Sequence, residues 1–303
     1  MPVKGLIHYA LEVPDPVVGE TFYRDFGLQQ KDSRGNAIQL KTGHGSGELV
    51  LYEGPRKRLH HVALAAPGDE FEAVREALKR ANVLELDPPK DAPQVGIWFH
   101  DPDGNLINVR QEARPALPPE PLPIYNAPGN PARPGTRNLP SFDRAAPRRL
   151  GHVLFFTPDP DAATRFYSET LGFKISDRVP GVIAFLRCTT DHHNLAFAKS
   201  THRGFHHASY EVGSVDEIGM GAMWMKDRGW QPAWGLGRHA IGSNFFYYIK
   251  DPWGSYAEYF HDIDYIPEDQ EWEAREWDPR YALYCWGPDV PDDFIVNKEE
   301  PSA

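Results

Sequence analysis

Residues 5 to 12 (Gly-Leu-Ile-His-Tyr-Ala-Leu-Glu) alternate apolar and polar positions as a half-buried strand does, and Asp15 to Phe26 reads as a helix that carries Phe22 and Tyr23 into a core. Two short strands follow near 37–41 and 48–52. The pattern then restarts. His60 to Ala65 is a strand, Asp69 to Ala81 an amphipathic helix and Val95 to Phe99 a strand; Asp101-Pro102-Asp103-Gly104 is a turn, and Asn105 to Arg110 the strand that returns. The unit is β-α-β-β-β, used twice, which predicts an α+β fold.

From Glu112 to Arg148 the periodicity stops and ten prolines lie between Pro115 and Pro147. Such a stretch predicts a linker or an arm wrapped on the surface, with Ile124, Tyr125 and Phe142 as its anchors. Beyond it the first half recurs. Leu150-Gly151-His152 with Pro158-Asp159-Pro160 echoes Leu6-Ile7-His8 with Pro14-Asp15-Pro16, and Phe205-His206-His207 echoes Leu59-His60-His61. Asp251-Pro252-Trp253-Gly254 echoes Asp101-Pro102-Asp103-Gly104 in the same order. Four modules in two domains are expected: 1–112, a Pro-rich linker 113–148, a second domain 149–262, and an acidic, aromatic tail 263–303 that covers either the second domain's pocket or an oligomer contact.

Composition narrows the class of partner. A formal charge of -11 disfavours nucleic acid or an anionic membrane. No apolar run approaches the ~20 residues of a membrane span, and Met1 to Gly5 leads into a strand. Cys188 and Cys285 are too few for a disulfide framework. A soluble, cytoplasmic protein is expected.

The chemistry gathers in the second domain. Phe245 to Ile249 and Ser255 to Phe260 predict a hairpin across the Asp251-Pro252-Trp253-Gly254 turn. Alternation then sets Tyr256 and Glu258 on one face and Ala257 and Tyr259 on the other. A carboxylate on a strand built for burial needs a strong partner, and a metal ion is one. His152 opens the first strand of one module and His207 that of the next. Two neutral imidazoles and a carboxylate that leave positions open suit non-haem Fe(II), with Mn(II) close behind. In the first domain His8 and His61 hold the corresponding places, but Asn108 stands where Glu258 does and Trp98 where Tyr248 does. That half is expected to be structural.

The repeat, the His152/His207/Glu258 set, Asp191-His192-His193 and the segment from Gly237-Arg238-His239 to Glu258 resemble the two-domain extradiol catechol dioxygenases of the vicinal oxygen chelate superfamily. The likeness runs from about Gly5 to Trp286. It implies an open mixed-sheet barrel in each domain, Fe(II) on His152, His207 and Glu258, and a homo-oligomer. It implies cleavage of a catechol by O2 next to its two hydroxyls, giving a muconic semialdehyde-type product. By the same resemblance His193 does the acid–base work, and His239 and Tyr248 act beside it by hydrogen-bonding the substrate oxygen. Relatives acting on homoprotocatechuate carry carboxylate-gripping arginines where this chain has Trp234 and the Ala282-Leu283 region. An apolar alkyl or aryl ring substituent against Trp234 is therefore expected, with Arg238 and Arg280 as the remaining candidates for a carboxylate partner. Two other readings fit the repeat alone: a glyoxalase-like metal-dependent isomerase or lyase, and a non-enzymatic protein that sequesters a small molecule.

Overall fold

The first half is built from β1 (Gly5–Val13), α1 (Pro16–Phe26), β2 (Gln29–Arg34), β3 (Ala37–Lys41) and β4 (Leu49–Glu53), followed by β5 (Arg58–Ala65), α2 (Glu70–Arg80), β6 (Ile97–His100) and β7 (Leu106–Arg110). The second half repeats the scheme with β8 (Arg149–Thr157), α3 (Pro160–Glu169), β9 (Lys174–Val179), β10 (Ile183–Arg187) and β11 (Leu195–Lys199). It continues with β12 (Gly204–Glu211), α4 (Val215–Asp227), β13 (Pro232–His239), β14 (Phe245–Lys250) and β15 (Tyr256–His261). These elements belong to a computed structural model that describes residues 2–34, 37–45, 47–114, 116–121, 123–137 and 144–299.

The Pro-Asp-Pro echo is a helix start used twice. Asp15 accepts from the backbone N–H of Val17 and Val18 at 3.0 and 3.2 Å, and Asp159 from Asp161 and Ala162 at 3.1 and 3.0 Å, each with proline at the first helical position. Each half forms one mixed sheet, in the order β2-β3-β4-β1-β5-β7-β6 for the first. The tail adds two strands to the second, β16 (Arg275–Glu276) and β17 (Tyr284–Trp286), so that its order is β16-β9-β10-β11-β8-β12-β15-β14-β13-β17. The tail thus pairs with both outer strands, β9 and β13, and supplies partners for backbone groups that an edge leaves open.

Paired modules meet through their opening strands, β1 against β5 and β8 against β12, both antiparallel. Each opening strand also runs parallel to the last strand of its own module. The second module carries two strands after its helix; a single bridge, Leu86 to Trp98, stands where the others have a further strand. The halves share one core. Phe26 of α1 stacks on Tyr259 of β15 with centroids 3.9 Å apart, and Tyr167 of α3 donates to the Asp101 carboxylate of the first half at 3.0 Å. Each half's first helix is therefore packed on the other half's last hairpin.

The linker departs from expectation. Ile124 and Tyr125 are exposed, and Phe142 lies outside the described residues. Polar contacts hold the arm instead: Arg114 donates to the Leu150 carbonyl at 2.9 Å, and the Ala146 N–H and the Arg148 guanidinium donate to the Glu217 carboxylate at 2.7 and 2.6 Å. Among the described residues no helix is long and apolar enough to cross a membrane.

Candidate active site

β8, β12 and β15 lie side by side, and their register sets the site. His152 is opposite Ser209, Ser209 is opposite Glu258, and His207 precedes Ser209 by two residues on the same strand, hence on the same face. The three side chains converge. His152 Nε2 lies 3.2 Å and His207 Nε2 3.4 Å from Glu258 Oε2, and one donor atom from each residue falls within 4.8 Å of the others. Glu258 is 0 % exposed, and its ion-pair partners among the described residues are imidazoles only. Among the described residues His152 Nδ1 and His207 Nε2 are buried without a hydrogen-bond partner. A fully buried carboxylate, two converging imidazoles and the orphaned His207 Nε2 that faces the carboxylate are what a divalent cation would satisfy.

A β-bulge explains the doubled histidine. Phe205 pairs with Phe155 and His207 with Leu154, so His206 is the extra residue, which lets both rings turn to one side. His206 Nδ1 and His207 Nδ1 stand 2.6 Å apart, and His206 Nε2 donates to the Phe294 carbonyl at 2.6 Å. The proton between the two rings then belongs to His207, whose Nε2 is left as a lone pair facing Glu258. Burial lowers His206 to about 4 and, with His206 beside it, lowers His207 well below the ordinary value. Both rings are neutral near pH 7, as a ligand must be.

His193 sits in the loop between β10 and β11, which the Asn194 amide holds together. Its oxygen accepts from the backbone N–H groups of Cys188 and Thr189 at 2.9 and 3.1 Å, and its nitrogen donates to the Gly151 carbonyl at 3.2 Å. Asp191 in the same loop is clamped by the Arg149 guanidinium. This puts the His193 ring 4.2 Å from that of His152. Burial and the neighbouring imidazoles hold His193 well below the usual histidine range. His239 ends β13; its Nδ1–H donates to the Leu283 carbonyl at 2.7 Å, and its Nε2 accepts from the Tyr248 hydroxyl at 3.0 Å. Burial, with Glu258 adding to it, raises the Tyr248 phenol well above 10. Burial lowers His239, against the opposing pull of Glu258. Tyr248 thus stays a donor and His239 a neutral acceptor.

His152, His193, His206, His207, His239 and Tyr248 line one end of a cavity. The rest of its wall is apolar: Leu154, Phe156, Ile183, Phe185, Ala198, Ile241, Ala282 and Leu283, with Phe294 and Ile295 from the tail. The tail covers this pocket, the first of the two places expected for it. Trp234 is not on the wall. Its ring lies parallel to that of Tyr248 with centroids 5.7 Å apart, and its indole N–H donates to the Pro288 carbonyl, so it backs the tyrosine instead of facing the cavity. Arg238 and Arg280 are also elsewhere, paired with Asp262 and Asp278. Sequence reasoning missed Phe294 and Ile295, which follow no periodic pattern.

The first half keeps the frame and both histidines, His8 and His61, without the carboxylate. Trp98 is opposite Asn108, and Asn108 opposite Ala63, in the rows that Tyr248, Glu258 and Ser209 occupy in the second half. Asn108 donates to the Val95 and Ile97 carbonyls and accepts from Arg110 Nε at 2.7 Å. Arg110 Nη2 reaches to 3.5 Å from His8 Nε2, and the two histidines contact each other at 2.8 Å. A guanidinium fills the place a cation would take.

Known proteins resemble this chain in sequence and fold. Residues 5–109 and 149–259 match the model of the Glyoxalase/Bleomycin resistance protein/Dioxygenase superfamily. Metapyrocatechase 2 of Cupriavidus necator is 41 % identical over 98 % of this chain and 93 % of its own length. The iron-dependent extradiol dioxygenase of Rhodococcus jostii RHA1 is 27 % identical over 95 % of this chain and 98 % of its own. Among solved structures, the Mn(II)-bound glyoxalase from Novosphingobium aromaticivorans superposes with a TM-score of 0.79 over 100 % of this chain and 96 % of that one at 24 % identity, a likeness of fold. With both halves matched and a relative aligned end to end, the chain belongs to the Glyoxalase/Bleomycin resistance protein/Dioxygenase superfamily, among its two-domain extradiol dioxygenases.

Proposed function

We propose that this protein is an extradiol ring-cleaving dioxygenase that inserts both atoms of O2 into a catechol with an apolar substituent. One observation carries the reading: His193, His239 and Tyr248 stand with His152 and His207 at one end of a cavity whose remaining wall is apolar. His152, His207 and Glu258 would hold the metal, Fe(II) as in the iron-dependent relative, with Mn(II) suited to the same donors. Bound by these residues, the ion would supply a Lewis acid for the catechol oxygens and a redox partner for dioxygen. His193 takes a catechol proton and returns it as the ring opens, a role for which a neutral imidazole is suited. Tyr248 turns its hydroxyl from His239 to donate to a substrate oxygen, His239 Nε2 is then free to accept from a substrate hydroxyl, and Trp234, packed behind Tyr248, holds that phenol in place. The apolar wall keeps water from the reacting end.

A glyoxalase-like isomerase draws on a second acidic ligand. Among the described residues the cluster supplies Glu258 as its carboxylate. A sequestering protein has no use for the converging ligands. The test is turnover of iron-loaded enzyme on 3-methylcatechol, 2,3-dihydroxybiphenyl and homoprotocatechuate, read as yellow product and oxygen uptake. Among the described residues no lysine or arginine lines the cavity. A substrate carboxylate would be buried unpaired, so kcat/KM for the two apolar catechols is expected to exceed that for homoprotocatechuate by roughly a hundredfold. Equal values would remove the substrate assignment, and no ring cleavage of any of them would remove the activity.

The His206 ring fixes how His207 is presented. His206→Phe keeps the packing against Phe156, Tyr256 and Phe294 and removes the acceptor for the His207 Nδ1–H. Iron affinity, measured by competition with a coloured chelator, is expected to fall by roughly 10–100-fold. Unchanged affinity would show that the tautomer of His207 is set elsewhere. We further place the protein in the cytoplasm, as a homo-oligomer that binds neither nucleic acid nor membranes; its thiols are free and its charge is acidic. Light scattering on the purified protein decides the oligomeric state.

A further inference from the structure

His192 is fully buried and takes no part in the roles above, yet it is tied on three sides. Its backbone N–H donates to the Asp264 carbonyl at 2.9 Å, its Nε2 lies 3.3 Å from Asp177 Oδ2, and its Nδ1 lies 3.0 Å from His193 Nδ1. We propose that Asp177 and His192 are positioning residues, a hydrogen-bonded chain that locks His193 in the tautomer with its proton on Nδ1 and its lone pair on Nε2, offered to the cavity. The proposal rests on the reading of His193 as the proton acceptor.

The order of protons follows from what each atom can do. An ionised carboxylate only accepts, so the Nε2 facing Asp177 carries the hydrogen. In a neutral imidazole the other nitrogen is then an acceptor, and the hydrogen between the two Nδ1 atoms belongs to His193. Without the chain His193 is free to hold its proton on Nε2, where it cannot take one from a phenol. Asp177 is fixed in turn: its Oδ1 accepts from the Arg275 backbone N–H at 2.7 Å, and Trp272 caps the strand by donating to the Ser176 carbonyl at 2.8 Å. The tail therefore orders this chain from behind. On the other side the β13–β14 loop packs directly on the two rings. Gly242 has φ +84°, and a Cβ there would stand 3.3 Å from His193 Cε1 and 3.4 Å from His192 Nδ1.

The test uses two readouts on the full chain. In metal-free protein labelled with 15N-histidine, the His193 signals, identified as those lost in His193→Ala, are expected to show a protonated Nδ1 and a bare Nε2. In His192→Phe they are expected to shift toward the opposite tautomer. In iron-loaded enzyme His192→Phe is expected to lower kcat at least roughly tenfold, as a wrongly protonated catalytic imidazole does, with KM and iron content unchanged. His192→Gln, whose amide can accept from His193 and donate to Asp177, is expected to recover most of the loss. Asp177→Ala carries the same expectation should the Phe variant not fold. The same tautomer in wild type and His192→Phe, or equal kcat losses in the Gln and Phe variants, would overturn the proposal. A wild type that cleaves no catechol would instead end the parent reading, and the NMR comparison would still decide the chain.

Discussion

Glu258→Gln is expected to fold and to lose its metal. The carboxylate is 0 % exposed and its nearest partners are imidazoles, with the Asn244 amide reaching Oε1 at 3.4 Å, so without an ion its burial is weakly compensated. An amide of the same shape removes that cost together with the negative charge the cation needs. Two results follow with opposite signs. Iron affinity is expected to fall by about three decades, roughly 4 kcal/mol, and ring cleavage with it. The metal-free variant is expected to melt at or above the temperature of the metal-free wild type. Added Fe(II), which raises Tm when it binds the folded state alone, is expected to raise it in the wild type and not in the variant. A variant that still binds iron tightly would remove Glu258 from the ligand set.

His193→Ala is expected to do the reverse. None of the three converging ligand atoms belongs to His193, so iron content is expected to match the wild type. Loss of a general acid–base group costs roughly 10²–10⁴-fold in kcat. The side chain is buried and its loop is held by Asn194 and Asp191, so the loop keeps its conformation without it. Metal analysis, circular dichroism and single-turnover oxygen uptake on one preparation separate chemistry from folding. Wild-type turnover in this variant would mean that the proton moves through another group.

What could be read from the chain is what period and repetition encode. Strand alternation places Glu258 and Tyr256 on the face opposite Ala257 and Tyr259, and the structure keeps that division: Ala257 and Tyr259 lie in the main core, and Tyr256 packs with Tyr248 and Phe294. The internal echo gave His152 and His207 equivalent places, and the register rows of the two halves match residue for residue around Ala63 and Ser209. What could not be read depends on contacts between segments with no common period. β2 (Gln-Gln-Lys-Asp-Ser-Arg) is an edge strand of polar residues and gives no apolar signal. β16 and β17 are too short to alternate. The partnership of His206 with His207 comes from a bulge, and that of His192 with His193 from a loop; neither is visible in spacing alone. Trp234 shows the limit of transfer by resemblance: its place in the sequence suggested the substrate, and its ring is packed behind Tyr248. Arg110 shows the opposite case. The asparagine at 108 announced a lost site, but that a guanidinium from the same strand closes it needed three dimensions.

The central claim is that the cavity end formed by His152, His207, Glu258, His193, His239 and Tyr248 opens an aromatic ring with dioxygen. It is tested most directly by labelling. Iron-loaded protein mixed with 3-methylcatechol under ¹⁸O2, quenched at once and analysed by mass spectrometry, is expected to give a ring-opened product carrying both labelled atoms. An unopened product, or an opened one whose added oxygens come from water, would contradict the account.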